Sequence, residues 1–118
     1  MRKFFAISLA ALLTGFLSAD GQAAAQDALQ DTIQQLESIW GEGLCETVVV
    51  KKKGHPLASI ACSGSYDNAR RGKFLDTLFR NDFKLKSETY KLRPQNGMYL
   101  YKTVQSGRTF YFKLFVRN

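Results

Sequence analysis

Histidine, cysteine, proline and tryptophan are all scarce in this 118-residue chain, which has one His, two Cys, two Pro and one Trp. One His and two Cys cannot assemble a Cys/His zinc cluster or a multi-disulfide framework. They also leave no catalytic site that needs two histidines. H-E-x-x-H and G-x-S-x-G are absent, and Gly41-Glu42-Gly43 lacks the rest of any phosphate loop. His55 stands alone in the turn Lys51-Lys52-Lys53-Gly54-His55-Pro56 and reads as a solvent-exposed loop residue. Carboxylate pairs for glycoside hydrolysis could be drawn from Asp67, Asp76, Asp82 and Glu88. Helix caps and solvated helix positions account for the same residues, so any such choice is arbitrary. The sequence asks for no cofactor and no metal, and the expectation is a protein that is not an enzyme.

A long apolar run is also missing beyond the amino terminus. Met1-Arg2-Lys3 is a short cationic start, Phe4 to Leu17 is apolar except for Ser8, Thr14 and Gly15, and Ser18 to Ala25 is small and polar. This three-part pattern is that of a bacterial secretory signal peptide. The A-x-A site ending at Ala25 would make Gln26 the first mature residue, with a cut after Ala23 as the second choice. As a membrane anchor the run is too short, because it gives about 21 Å of helix against a hydrocarbon core of about 30 Å. The reading is therefore residues 1–25 as a removed leader and 26–118 as one small domain, exported to the periplasm or beyond.

Acidic residues are few and unevenly placed. Of 17 basic and 10 acidic residues, Arg2, Lys3 and Asp20 fall in the leader, which leaves the mature chain with 15 basic and 9 acidic residues, a net +6. Residues 26–49 hold five acids and no Lys or Arg, whereas residues 50–118 hold 15 basic and four acidic residues, a local +11. Such asymmetry points to an acidic partner for the second segment, or to an intramolecular cover by the first.

What is present reads as helix, hairpin, helix and three strands. Leu29, Ile33, Leu36 and Trp40 draw one apolar stripe on a helix from about Asp27 to Trp40, stopped by Gly41 and Gly43. Leu44 to Val50 and Leu57 to Cys62 form the arms of a hairpin turning at Lys53-Gly54. A two-residue loop there sets Cys45 directly opposite Cys62, in the closer, non-hydrogen-bonded type of pair with Cα atoms about 4.5 Å apart. A disulfide spans that distance, and in an exported chain of this size it reads as a staple contributing about 3 kcal/mol. Pro56 has no N–H, so its strand either begins there or lies at an edge.

Ser65 or Asp67 caps a second helix running to about Arg80, with Phe74, Leu75, Leu78 and Phe79 on its apolar face and Asn81 at its end. Phe83-Lys84-Leu85-Lys86 alternates like a half-buried strand, and Tyr90-Lys91-Leu92 alternates with the opposite parity, so a bulge or bend belongs near Ser87-Glu88. Met98 to Val104 and Thr109 to Val116 form a second hairpin around Ser106-Gly107. Its register puts Tyr99, Tyr101, Phe110, Phe112, Leu114 and Val116 on the core side. The predicted architecture is a two-layer α+β domain, order α-β-β-α-β-β-β, with an antiparallel sheet of about five strands, two helices on one face and one disulfide.

Three basic clusters are the candidate binding residues. Lys51, Lys52 and Lys53 project from the stapled hairpin tip, and a preorganised cationic finger loses little entropy on entering an acidic cleft. Arg70, Arg71 and Lys73 gather at a helix start, where the helix dipole disfavours positive charge. Lys102 opposite Tyr111, with Lys113 two residues on, places cations beside an aromatic ring on the mixed face of the second hairpin. Each cluster also has a plainer reading, as a solubilising turn, a solvated helix face and an open sheet surface. Together they suggest an exported binding protein of inhibitor, immunity-type or adaptor class engaging an acidic protein partner. A polyanion binder, for nucleic acid, lipopolysaccharide or an acidic cell-wall polymer, is the alternative, and a small carboxylate-dependent hydrolase is the remotest reading.

Overall fold

The computed structural model describes residues 16–117, with side chains from Asp27 onward. The greater part of the expected leader, residues 1–15, lies outside the described residues. The chain divides into two compact units whose boundary in sequence falls between Asp31 and Thr32. Helix α1 (Phe16–Glu37) contributes to both. It starts well before the expected Asp27, since the alanines at 23–25 have the highest helix propensity of any residue and continue the helix backward without a break. Its other end tightens into a final turn, where the Ile39 and Trp40 amides bond to the carbonyls of Leu36 and Glu37, both at 3.1 Å. Gly41, at φ 118°, then turns the chain in a conformation that residues with a Cβ rarely adopt.

The second unit carries the remaining elements: β1 (Cys45–Lys52), β2 (His55–Ser63), α2 (Asn68–Arg80), β3 (Lys84–Arg93), β4 (Asn96–Gln105) and β5 (Arg108–Arg117). The five strands form a single sheet in the order β1-β2-β5-β4-β3. The expected α+β class and element order hold, with one correction. The sheet is mixed rather than antiparallel, because β2 pairs with β5 in parallel from Leu57↔Tyr111 to Ser63↔Arg117. The long passage through α2, β3 and β4 lets the chain return in the same direction, which a short hairpin cannot do. Pro56 sits immediately before the first β2–β5 partner, where its missing N–H interrupts no ladder.

Both hairpin registers are those that two-residue loops dictate. Cys45 pairs with Cys62 and is bonded to it, with Cα atoms 4.1 Å apart. Lys102 pairs with Tyr111 and Leu100 with Lys113. The parity change in β3 is resolved by a bulge between Leu85 and Ser87, one residue before the expected place. Asp67 caps α2 by accepting from the Arg70 amide at 2.9 Å, and Asn81 closes it.

One face of the sheet packs the core. Ile60, Tyr101, Phe112 and Leu114 are fully buried there, with Leu36, Phe74, Leu78 and Phe83. Phe83 meets Phe110 and Phe112 edge-on, with ring centres 5.2 and 5.0 Å away, and Phe74 lies 5.3 Å from Tyr101. The part of α1 that belongs to this unit sits on the same side, since Glu37 accepts from Thr47 at 2.6 Å and the following Trp40 stacks on Tyr66 at 5.9 Å. Gly64 makes that approach possible: it holds φ 128°, and a Cβ there would meet the indole at 3.0 Å. On α2 the inward stripe is Phe74, Thr77 and Leu78. Phe79, expected on it, is 73% exposed, because the residue after Leu78 is turned about 100° further around the helix.

Candidate docking face

The opposite face of the sheet is built by the residues that alternate with the core. Across β3, β4, β5, β2 and β1 its rows read Ser87, Lys102, Tyr111, Leu57, Val50, then Thr89, Leu100, Lys113, Ser59, Val48, then Lys91, Met98, Phe115, Ala61, Glu46. Outside these rows, Arg93, Asn96, Arg117 and Ser63 align at one end, and Lys84 pairs with Val104 at the other. The face therefore has two halves. Strands β3, β4 and β5 contribute six cations to it: Lys84, Lys91, Arg93, Lys102, Lys113 and Arg117. Their one acid, Glu88, alternates onto the core side. Strands β1 and β2 contribute Val48, Val50 and Ala61, which are exposed, and Leu57, which is buried. None of the six cations makes an ion pair among the described residues, where the pairs found are Arg71–Glu88 and Arg80–Asp76.

The sequence-predicted clusters are redistributed by this geometry. Lys102, Tyr111 and Lys113 fall on this face, as their register requires, but Tyr111 is buried beneath its neighbours, only 7% exposed. Lys52 joins them, its ammonium 5.6 Å from the centre of the Tyr111 ring, and His55 lies 6.3 Å from the same ring. Lys51 alternates to the other side of β1, and Lys53 occupies the turn with φ 53°. The hairpin tip is thus split, with only Lys52 serving the face. Lys84, Lys91, Arg93 and Arg117 are the residues that sequence reasoning missed. Extending the β4–β5 register to Arg117, and carrying it through the Pro94-Gln95 turn and the bulge, would have put them on the same face as Lys102.

The helix-start cluster serves the fold. Arg71 donates from Nε to one oxygen of Glu88 at 3.0 Å and from Nη2 to the other at 2.5 Å. The buried Tyr101 hydroxyl donates to Glu88 at 2.7 Å and accepts from the Tyr66 hydroxyl at 2.9 Å. The Arg71 hydrogen bonds, seconded by that from Tyr101, hold the Glu88 carboxyl below its ordinary range. Burial pushes the Tyr66 and Tyr101 hydroxyls upward, so both stay neutral hydrogen-bonding groups. Both carboxylate oxygens and both hydroxyls thus have partners, and the chain of contacts clamps α2 to β3. Arg70 donates to the Ser65 carbonyl at 2.8 Å and stacks 5.6 Å over Trp40, while Lys73 is exposed on α2.

A shallow hollow of about 500 Å³ lies at one end of the open face, lined by Leu44, Glu46, Ala61, Ser63, Phe115 and Arg117 among others. No group of His, Cys, Asp or Glu among the described residues could hold a metal ion. No described helix is long and apolar enough to cross a membrane.

No family model matches the chain, and no curated protein does. Among solved structures, the chain is similar to the crystal structure of JHP933 from Helicobacter pylori, with a TM-score of 0.51 and 11% sequence identity. The likeness covers 78% of this chain and 44% of that one, so the chain spans less than half of its structural neighbour. At that identity what the two share is the fold.

Proposed function

We propose that this protein is an exported, non-enzymatic binding module whose open sheet face docks an acidic protein partner. The carrying observation is the composition of that face: six cations on three adjacent strands with no acid among them, beside an apolar strip on the other two. A surface of this kind suits a protein more than a bare polyanion, because the valine strip offers apolar burial and the cations steer and register the partner. The Cys45–Cys62 bond supports an oxidising destination, and the leader-like amino terminus supports export.

The test is affinity capture of the oxidised protein from its own cell envelope, comparing the wild-type chain with Lys91→Glu/Lys102→Glu/Lys113→Glu. Lys73→Glu on α2 is the control. An acidic protein retained by the wild type and the control, and lost by the triple variant, is the expected result. Capture that survives the triple reversal overturns the reading. Recovery of glycan or nucleic acid alone, with affinity falling steeply as salt is raised, would replace it with the polyanion reading.

A further inference from the structure

The two edges of the sheet are unlike. Edge strand β3 carries the defences that keep sheets from pairing with other chains: a bulge between Leu85 and Ser87, and Lys84, Lys86, Lys91 and Arg93 along its length. Edge strand β1 has an unbroken register from Cys45 to Lys52, no proline and no bulge, and Val48, Val49 and Val50 all stand exposed at its centre. Its hydrogen bonds to β2 run through alternate residues. Counting from the Lys52↔His55 pair beside the turn, Glu46, Val48, Val50 and Lys52 bond inward. Cys45, Thr47, Val49 and Lys51 direct their N–H and C=O groups outward, where no described backbone group takes them.

We propose that β1 is a self-pairing edge, and that two copies of this chain join antiparallel through it, with Val49 on the two-fold axis. The register follows from the strand's own pattern. With Val49 against Val49 of the second copy, the outward-bonding residues meet outward-bonding residues, as an antiparallel ladder demands. Val48 then faces Val50 of the second copy and Val50 faces its Val48, both in the closer type of pair, where valine side chains pack best. Glu46 faces Lys52 of the second copy and Lys52 faces its Glu46, which closes each end of the apolar centre with opposite charges. Other two-fold registers that keep the same hydrogen-bonding residues opposed lose these charge pairs. An acid at one end, a base at the other and valine between them is the pattern that antiparallel self-recognition requires.

Pairing draws the Lys52 ammonium from the Tyr111 ring toward the second copy's carboxylate. It also continues the open face across the junction, so the two valine strips merge at the centre and the cationic halves become two flanking wings. The inference stands apart from the proposed partner, because it rests on the edge rather than on the face.

Sedimentation of the purified, oxidised protein over a range of concentrations tests it. A reversible shift from one copy to two is expected. Glu46→Lys turns both charge pairs into like pairs and should raise the dimer dissociation constant about thirtyfold; Lys52→Glu should do the same. The double variant Glu46→Lys/Lys52→Glu restores both pairs and should restore dimerisation, and mixing the two single variants should yield a heterodimer. Val49→Pro removes an outward N–H that β2 does not use and should leave a folded monomer. A chain that stays single at every concentration overturns the proposal, as does a dimer indifferent to both charge reversals. Should Val49→Pro fail to fold, the charge swap decides the matter, since positions 46 and 52 bond inward through backbone that those changes leave intact.

Discussion

Glu88→Gln isolates the clamp between α2 and β3. The carboxylate accepts three hydrogen bonds, two from Arg71 at 3.0 and 2.5 Å and one from Tyr101 at 2.7 Å. A glutamine keeps the shape but has one carbonyl, and its NH₂ must face either the guanidinium, donor against donor, or the tyrosine. The paired geometry is lost, and with it the charge. Hydrogen bonds to charged groups contribute about 1.5–3 kcal/mol each when shielded. Here the Arg71 side chain is 43% exposed, so solvent screens much of that. A net loss of about 1–2 kcal/mol follows, which lowers the melting temperature of a domain this size by about 5–10 °C.

The same loss should depend on pH. The folded-state value of Glu88 lies below its ordinary one, with the Arg71 hydrogen bonds as the largest cause. Stability from such a group is fully present above the unfolded value, about 4.3, and is lost as pH falls through the folded value. Urea unfolding of wild type and Glu88→Gln should therefore show a gap that is constant from about pH 7 to about pH 5 and then narrows. The narrowing must come from the wild type, since the variant has no carboxyl to titrate at this site. A gap that keeps its width as the pH drops below about 4, or a variant as stable as wild type at pH 7, refutes the account. The double variant with Arg71→Gln should cost less than the two singles combined, because each already breaks the same pair.

Three further outcomes follow from particular residues. Replacing both Cys45 and Cys62 by Ala should lower stability by about 3 kcal/mol in oxidising buffer, and reductant should bring the wild type to the same unfolding midpoint in urea. Phe74→Ala, emptying a fully buried site among Trp40, Tyr66 and Tyr101, should cost about 3–5 kcal/mol, whereas Phe79→Ala at a largely exposed site should change stability by less than about 0.5 kcal/mol in the same urea titration. Gly64→Ala should destabilise through both its positive φ and the 3.0 Å approach to the indole, which would show as altered Trp40 fluorescence as well as a lower midpoint.

Local rules carried most of the fold. Turn length and pair type placed Cys45 opposite Cys62 and Lys102 opposite Tyr111, since a two-residue loop leaves an antiparallel ladder no freedom of register. The parity conflict on either side of Ser87 announced the bulge in the same way. What local rules could not reach was the neighbour of β2. Parallel pairing of Leu57–Ser63 with Tyr111–Arg117 joins segments far apart in sequence, and no turn residue records it. The candidate face suffered from that gap, because its apolar and cationic halves adjoin only through the β2–β5 pair. Arg70 and Arg71 were misleading for a related reason: their partners, Trp40 and Glu88, are distant in sequence, so the charges looked idle when they are bound within the fold.

The segregation of charge along the chain is only partly kept in three dimensions: Lys51 and the cations of α2 lie on the helix side of the sheet, and six others share the opposite face. Glu37 turns to the core side and is held by Thr47, while the cations of β3, β4 and β5 turn the other way. Of the acids in this stretch, Glu46 is placed on the basic face, at the far edge on β1, and it makes no ion pair there among the described residues. None of the six cations stands directly opposite another: the nearest pairs, such as Lys91 and Arg93 along β3 and Lys102 and Lys113 on the β4–β5 diagonal, are about 7 Å apart, a mild repulsion that no acid within these strands offsets on this face. The retained repulsion is relieved when an acidic surface is laid across it. Binding and stability should accordingly be coupled in this protein: reversing Lys102 or Lys113 would weaken capture of the partner while leaving the unliganded fold, followed by urea unfolding, as stable as before or more so.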